Sequence, residues 1–261
     1  MIRVPKIEMH LAHSCNLRCE GCSHFSNHGL AGVVPLSEGG RWLREWSGRI
    51  EPLRLSFLGG EPLLNDELPG YLRLARELWR HTWIRLITNG LLLPLWGANL
   101  WSALAETATM LTVSIHSRDP DYCARLAAAL QEARARANRH GLQYEERNSV
   151  DNWYRPYRGT GPNMEPFRDG NPAASWKVCE NKHCVTLQDN ALWKCPPMAH
   201  LPRVAAKYGL GNRPAWSVPL RYRPLTLDAS DDEIRSFFAR KSEPVCGMCP
   251  AKLEYFEKSI Y

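Results

Sequence analysis

Cys15, Cys19 and Cys22 stand in HSCNLRCEGC, residues 13–22, spaced by three and then two residues. Three thiolates this close in one loop can converge on a single metal centre. They are one ligand short of the four that close a structural zinc site. His13, His24 or His28 could complete a Cys3His zinc set; otherwise the open position belongs to a ligand. Gly59-Gly60-Glu61-Pro62 is the second such stretch. Its glycines admit a close backbone approach, and a carboxylate suits an ammonium partner. Five more cysteines follow residue 150: Cys179, Cys184, Cys195, Cys246 and Cys249. One four-thiolate centre among them leaves a thiol to spare. Cys123 stands alone in apolar-patterned DPDYCARLAAAL and is expected in the core.

The elements that position these residues show as alternating periodicities. RVPKIEMHLA reads as a strand that ends at the cysteine loop. LSEGGRWLREWSGRI is helical, with Trp42, Leu43 and Trp46 on one face and Ser37 as its expected N-cap. LRLSFLGG is a strand running into a glycine turn, and NDELPGYLRLARELWRH is a helix. WIRLITNG, MLTVSIHS and LQYEERNSV are further strands. Helical LWGANLWSALAETA and PDYCARLAAALQEARARANRHG separate them, the latter ending at Gly141. Repeated βα units predict an α/β fold, a barrel or partial barrel of parallel strands with helices outside. Functional residues of such folds gather at the C-terminal ends of the strands, where the cysteine loop, GGEP, TNG and SIHS all fall.

Residues 1–150 are therefore the expected core. Residues 151–176, rich in Pro, Gly and aromatics, read as a loop over the barrel mouth. Residues 177–261 are a cysteine-rich extension, with a hairpin turning at Asp189-Asn190 and a helix in ASDDEIRSFFARKS. Apolar residues make up 44% and charged residues 23%, an ordinary soluble balance. The net charge of +6 is mild and scattered, which argues against a nucleic-acid partner. No apolar run is long enough to span a membrane, and no secretory signal is evident, so a cytoplasmic location is expected. In that reducing compartment cysteines serve metals or redox chemistry rather than disulfides.

Cys15-x3-Cys19-x2-Cys22 after the first strand, with Gly59-Gly60-Glu61-Pro62 after the second, resembles the radical SAM superfamily. The resemblance covers residues 3 to 150. It implies a (β/α)6-type partial barrel, a [4Fe–4S] cluster on the three cysteines, S-adenosylmethionine at the fourth iron, and an electron donor of flavodoxin or ferredoxin type. ITNG and TVSIHS resemble the third and fourth strand ends of that family. Thr88, Asn89 and Ser114 thus join Gly59, Gly60, Glu61 and Pro62 as expected cofactor contacts. Relatives often carry an aromatic residue before the third cysteine. Here Gly21 stands there, and His24 is the nearest ring.

The late cysteines resemble the twitch extension of this superfamily, which holds one auxiliary [4Fe–4S] cluster. Its expected ligands are Cys179, Cys184, Cys195 and Cys246. Cys249, ahead of Pro250, is the expected spare thiol, although Cys246 and Cys249 could exchange roles. A thiol beside a substrate radical donates a hydrogen atom. The chain thereby resembles the radical SAM epimerases of aminoglycoside biosynthesis, which implies Cys249 as the donor. A polycationic, hydroxyl-rich substrate calls for carboxylates and aromatic faces. Asp119, Glu145, Glu146, Asp151, Glu165 and Trp153 are the expected substrate residues. Two alternatives stay open: a twitch-type dehydrogenase oxidising a secondary alcohol of an aminocyclitol or aminoglycoside, and a zinc-stabilised binding module.

Overall fold

The computed structural model describes residues 1–151, 153–256 and 259–261. Five parallel strands run side by side in chain order: β1 (Ile2–His10), β2 (Ile50–Leu58), β3 (Trp83–Thr88), β4 (Met110–Ile115) and β5 (Tyr144–Asn148). Helices α1 (Leu36–Ser47), α2 (Leu68–Leu78), α3 (Ala98–Glu106) and α4 (Pro120–His140) connect them. The expected α/β class with a parallel sheet is what forms. β1 and β2 each end in four consecutive buried residues, so their C-terminal halves are covered on both faces. Four tryptophans, Trp42, Trp46, Trp79 and Trp101, are fully buried in the core around this sheet.

The sheet continues past β1. β6 (Thr186–Gln188) pairs parallel with Glu8 and Met9 of β1, and β7 (Ala191–Trp193) folds back antiparallel on β6. The order is β5-β4-β3-β2-β1-β6-β7. The turn between β6 and β7 uses Asp189 and Asn190 at φ 52° and 58°. Both are left-handed, as a two-residue hairpin turn of the I′ type requires. The sixth parallel strand thus comes from the cysteine-rich extension and covers the free edge of β1.

The rest of the chain contributes α5 (Pro172–Val178), α6 (Pro196–Tyr208), α7 (Ser217–Leu220) and α8 (Asp231–Ala239). α8 carries a capping box between Ser230 and Glu233. α6 went unread in the sequence because PPMAHLPRVAAKY holds three prolines. Two of them sit in the first turn, where no amide donor is lost, and the helix tolerates the third, Pro202. Leu201, Val204 and Ala205 of α6 build a second core with Phe25, Tyr157, Met164, Trp216 and Met248.

Two local expectations are corrected. Ser37 does not cap α1; the helix starts behind Pro35, and the Leu36 amide donates to Glu67 Oε2 at 2.8 Å. Cys123 is exposed, because the buried face of α4 runs through Tyr122, Leu126, Ala129, Ala133 and Ala137. Among the described residues no helix is long and apolar enough to cross a membrane.

Candidate active site

A cavity of about 550 Å³ opens at the C-terminal ends of the parallel strands. Cys15, Cys19 and Cys22 line it from the loop after β1, and Gly59 and Gly60 from the turn after β2. Thr88 and Asn89 follow β3, Ser114 lies on β4, and Asn148 lies on β5. His24 also lines it. Lys6 and Glu8 project into it from β1, and Trp153, Tyr154 and Pro156 come from the segment after β5. Trp153 donates its indole N–H to the Glu20 carbonyl and meets the His116 ring edge-on. Gly21 makes that approach possible: at φ +75° its Cβ would lie 2.9 Å from the Tyr154 carbonyl and 3.1 Å from Trp153 Nε1.

Gly59 and Gly60 serve the cysteine loop first. Gly60 N donates to Ala12 O at 2.7 Å and Glu61 N to Ser14 O at 2.9 Å. A Cβ on Gly60 would fall 2.3 Å from Ser14 O, and one on Gly59 2.7 Å from Ala12 O. Glu61 and Pro62 do not reach the cavity, contrary to the expectation that the glutamate meets a ligand's ammonium. The Glu61 carboxylate is fully buried and accepts from Leu63 N at 3.0 Å, Thr88 Oγ1 at 2.6 Å and Asn89 N at 2.9 Å. Burial raises its pKa to about 7 against the pull of these three donors. Glu61 is a clamp that sets Thr88 and Asn89 on the cavity wall.

The late cysteines divide differently from the sequence expectation. Burial raises the Cys249 thiol, and the neighbouring Cys179 and Cys246 sulfurs raise it further. Cys195 is raised well up by burial, then by Cys249, Cys179 and Cys246. These four form one half-buried group. Cys179 caps the end of α5, Cys195 precedes α6, Cys246 lies within a 3-10 turn at Pro244–Met248, and Cys249 follows that turn. Ser175 of α5 holds the Cys249 carbonyl at 2.9 Å. Cys184 stands apart, on the wall of the cavity, with its sulfur 3.5 Å from Lys6 Nζ. The cause is strand pairing: Thr186 is locked opposite Glu8, so Cys184 is delivered to β1 rather than to the turn. Cys184, expected among the auxiliary ligands, thus lies on the cavity wall, and Cys249, expected as the spare thiol, lies beside Cys179, Cys195 and Cys246.

The sequence model of the Radical SAM superfamily matches residues 9–145. The chain belongs to the radical SAM superfamily. The PqqA peptide cyclase of Granulibacter bethesdensis is 34% identical over 85 residues, 32% of this chain and 22% of that protein. The chain thus aligns with about a fifth of that relative's length. A solved structure of native anSMEcpe with bound AdoMet has a TM-score of 0.44 at 17% identity, over 56% of this chain and 44% of that one. A structure of BtrN in complex with AdoMet and 2-DOIA has a TM-score of 0.46 at 14% identity, over 100% of both chains.

Membership of the radical SAM superfamily implies a [4Fe–4S] cluster and S-adenosylmethionine, and the residues present fit both. Three cysteines share one cavity wall, and on the same cavity Ser26, Ser114 and His24 each carry a buried polar atom with no hydrogen-bond partner. Among the described residues only His10, His13 and His200 bring three donor atoms within 4.8 Å of one another.

Of the expected substrate residues only Trp153 lines the cavity. Asp119 caps α4, accepting from the Tyr122 amide. Glu145 pairs with Arg85 at 2.7 Å, Glu146 with Arg134 at 2.7 Å, Asp151 with Arg118, and Glu165 with Arg168 at 2.8 Å. The last four carboxylates each found an arginine instead. The cavity carboxylates are Glu8 and Glu180, which sequence reasoning passed over. Glu8 is one of several polar residues of β1, with Arg3, Lys6 and His10, so the sequence did not single it out.

Proposed function

We propose that the chain is a radical SAM epimerase that inverts one carbon of an aminoglycoside sugar, and that Cys184 is the thiol that returns hydrogen. The observation that carries this reading is the position of Cys184 on the same cavity as Cys15, Cys19 and Cys22. Burial, then the Glu8 carboxylate, pushes its pKa up to about 12, so it keeps the S–H bond that a hydrogen-atom donor needs. Lys6 Nζ lies 3.5 Å from the sulfur and 2.5 Å from Glu8 Oε1, which fixes the thiol's direction.

In this reading Cys15, Cys19 and Cys22 hold the [4Fe–4S] cluster. Gly59, Gly60, Thr88, Asn89 and Ser114 flank S-adenosylmethionine, and Trp153 offers its ring where relatives use the residue before the third cysteine. When bound, the pair supplies hydrogen-atom abstraction from an unactivated carbon, which no protein base achieves. Cys184 then gives its hydrogen to the opposite face of that carbon and regains an electron and a proton. Cys179, Cys195, Cys246 and Cys249 hold an auxiliary cluster suited to relaying that electron from a flavodoxin- or ferredoxin-type donor. Glu8, Glu180, Asn148 and Asn181 supply hydrogen bonds to hydroxyl and ammonium groups of the sugar.

The test is turnover of neomycin C by the holoenzyme with S-adenosylmethionine and a reductant in deuterium oxide, read by mass spectrometry. Epimerisation predicts an isomer carrying one deuterium. Cys184→Ala should keep the iron of both cysteine sets and still form 5′-deoxyadenosine, yet yield no isomer. Cys249→Ala should lose about half the iron. Isomer formation by Cys184→Ala would overturn the assignment. A product two hydrogens lighter would establish dehydrogenation of a secondary alcohol instead.

A further inference from the structure

Four histidine rings pack together between the cysteine loop and α6. His10 ends β1, His13 precedes Cys15, His24 follows Cys22, and His200 lies in the second turn of α6. The His10 ring lies 4.1 Å from that of His200, 5.1 Å from that of His24 and 5.2 Å from that of His13, centroid to centroid. His10 and His200 are wholly inaccessible to solvent, and His13 is 7% exposed. Such burial requires hydrogen-bond partners, yet His10 Nε2 and both nitrogens of His200 have none. An unpaired buried polar atom costs about 1–3 kcal/mol, so three in one cluster need a physical reason.

We propose that His10, His13 and His200 form a three-nitrogen site for one divalent ion of the zinc class. Their donor atoms all lie within 4.8 Å of one another. His10 Nδ1 and His13 Nδ1 are 3.2 Å apart. Two nitrogens bound to one tetrahedral ion at 2.0–2.1 Å subtend about 3.3 Å, so this pair already stands at ligand spacing. Imidazole nitrogen is a preferred donor for this ion class. Burial, then the neighbouring imidazoles, holds His10 and His200 well below their ordinary pKa, so both offer lone pairs rather than protons. A small open cavity lined by His13, Gly32, Gln188, Asp189 and Arg203 borders the cluster at His13, the side from which an ion could enter. The ion would pin β1 and the start of the cysteine loop to α6. The site does not depend on the reaction proposed above.

The test uses the holoenzyme, iron-loaded and incubated with zinc chloride, then desalted. Zinc is counted per chain, and its X-ray absorption fine structure identifies the ligands. The expected result is one zinc with a nitrogen shell at about 2.0–2.1 Å and no sulfur shell at about 2.3 Å. His13→Gln and His200→Gln should each lose that zinc while iron content stays unchanged; His28→Gln, outside the cluster, should retain it. Iron content reports whether each variant has folded. His200→Phe fills the same volume without a donor and should also bind no zinc. Zinc found only with sulfur ligands would mean occupation of a cysteine set and would overturn the site. So would a nitrogen-bound zinc that survives in both His13→Gln and His200→Gln.

Discussion

Lys6 Nζ lies 3.5 Å from the sulfur of Cys184, a residue 178 positions away in the chain. β6 pairing with β1 makes that meeting, and Glu8 completes the group at 2.5 Å from the same ammonium. Glu8 is only 4% exposed, and Lys6 is its ion-pair partner. Burial opposes the lysine's charge, the Glu8 carboxylate favours it, and the pKa is raised.

Lys6→Met should therefore leave a buried carboxylate unpaired and cost about 3–5 kcal/mol. Lys6→Met with Glu8→Leu removes both charges and should recover most of that loss. Anaerobic urea unfolding of the two variants measures the difference; equal destabilisation by both would show that Lys6 matters through packing alone.

Glu61→Gln should weaken the wall that carries Thr88 and Asn89. Three donors converge on the carboxylate, and an amide offers one acceptor oxygen and a clashing N–H2 group. We expect a loss of about 1–3 kcal/mol and weaker S-adenosylmethionine binding by calorimetry, with iron content unchanged. The clamp also sets a pH dependence. Glu61's folded pKa of about 7 lies above its ordinary 4.5, so its favourable contribution is full below pH 4.5 and is lost as pH rises to 7. Subtracting the variant's stability profile from the wild-type profile should isolate that slope.

Gly60→Ala should cost stability and iron together. Its Cβ would lie 2.3 Å from Ser14 O and 2.7 Å from Ser14 C, both backbone atoms that cannot turn aside. We expect a loss of at least about 1–3 kcal/mol from overpacking, and loss of the iron held by Cys15, Cys19 and Cys22, because the cysteine loop hangs on that contact. Gly97→Ala, with nothing within 4 Å of its Cβ, is the matched control and should keep both.

His28 should give the fold an acid-side weakness. It packs in the second core with Nε2 2.7 Å from the Tyr157 hydroxyl, and burial, then Lys207, lowers its pKa to about 4. The unfolded state binds its proton first, so stability is full above pH 6.5 and falls between pH 6.5 and 4. Its share is about 2 kcal/mol after allowance for screening. His28→Phe should flatten thermal stability across that window, and an unchanged slope would assign the effect elsewhere.

Much of this protein is local and was legible in its sequence. The βα alternation yields five parallel strands because strand and helix periods are properties of short windows. The Asp189-Asn190 turn and the Ser230–Glu233 cap follow from residues within four positions of each other. Cys15, Cys19 and Cys22 share a wall because one loop holds them. Tertiary structure alone decided the rest. Nothing near Cys184 or Cys249 distinguishes a thiol in the four-cysteine group from a thiol on the cavity. That choice belongs to a parallel pairing between residues 8 and 186 and to the packing of α5 on the 244–248 turn. Glu145, Glu146 and Asp151, which looked free for substrate, were taken by arginines brought close by folding. His10, His13 and His200 likewise meet only because β1 and α6 pack together. Long-range proximity is set by where whole faces bury, and a linear pattern of residue types does not carry it.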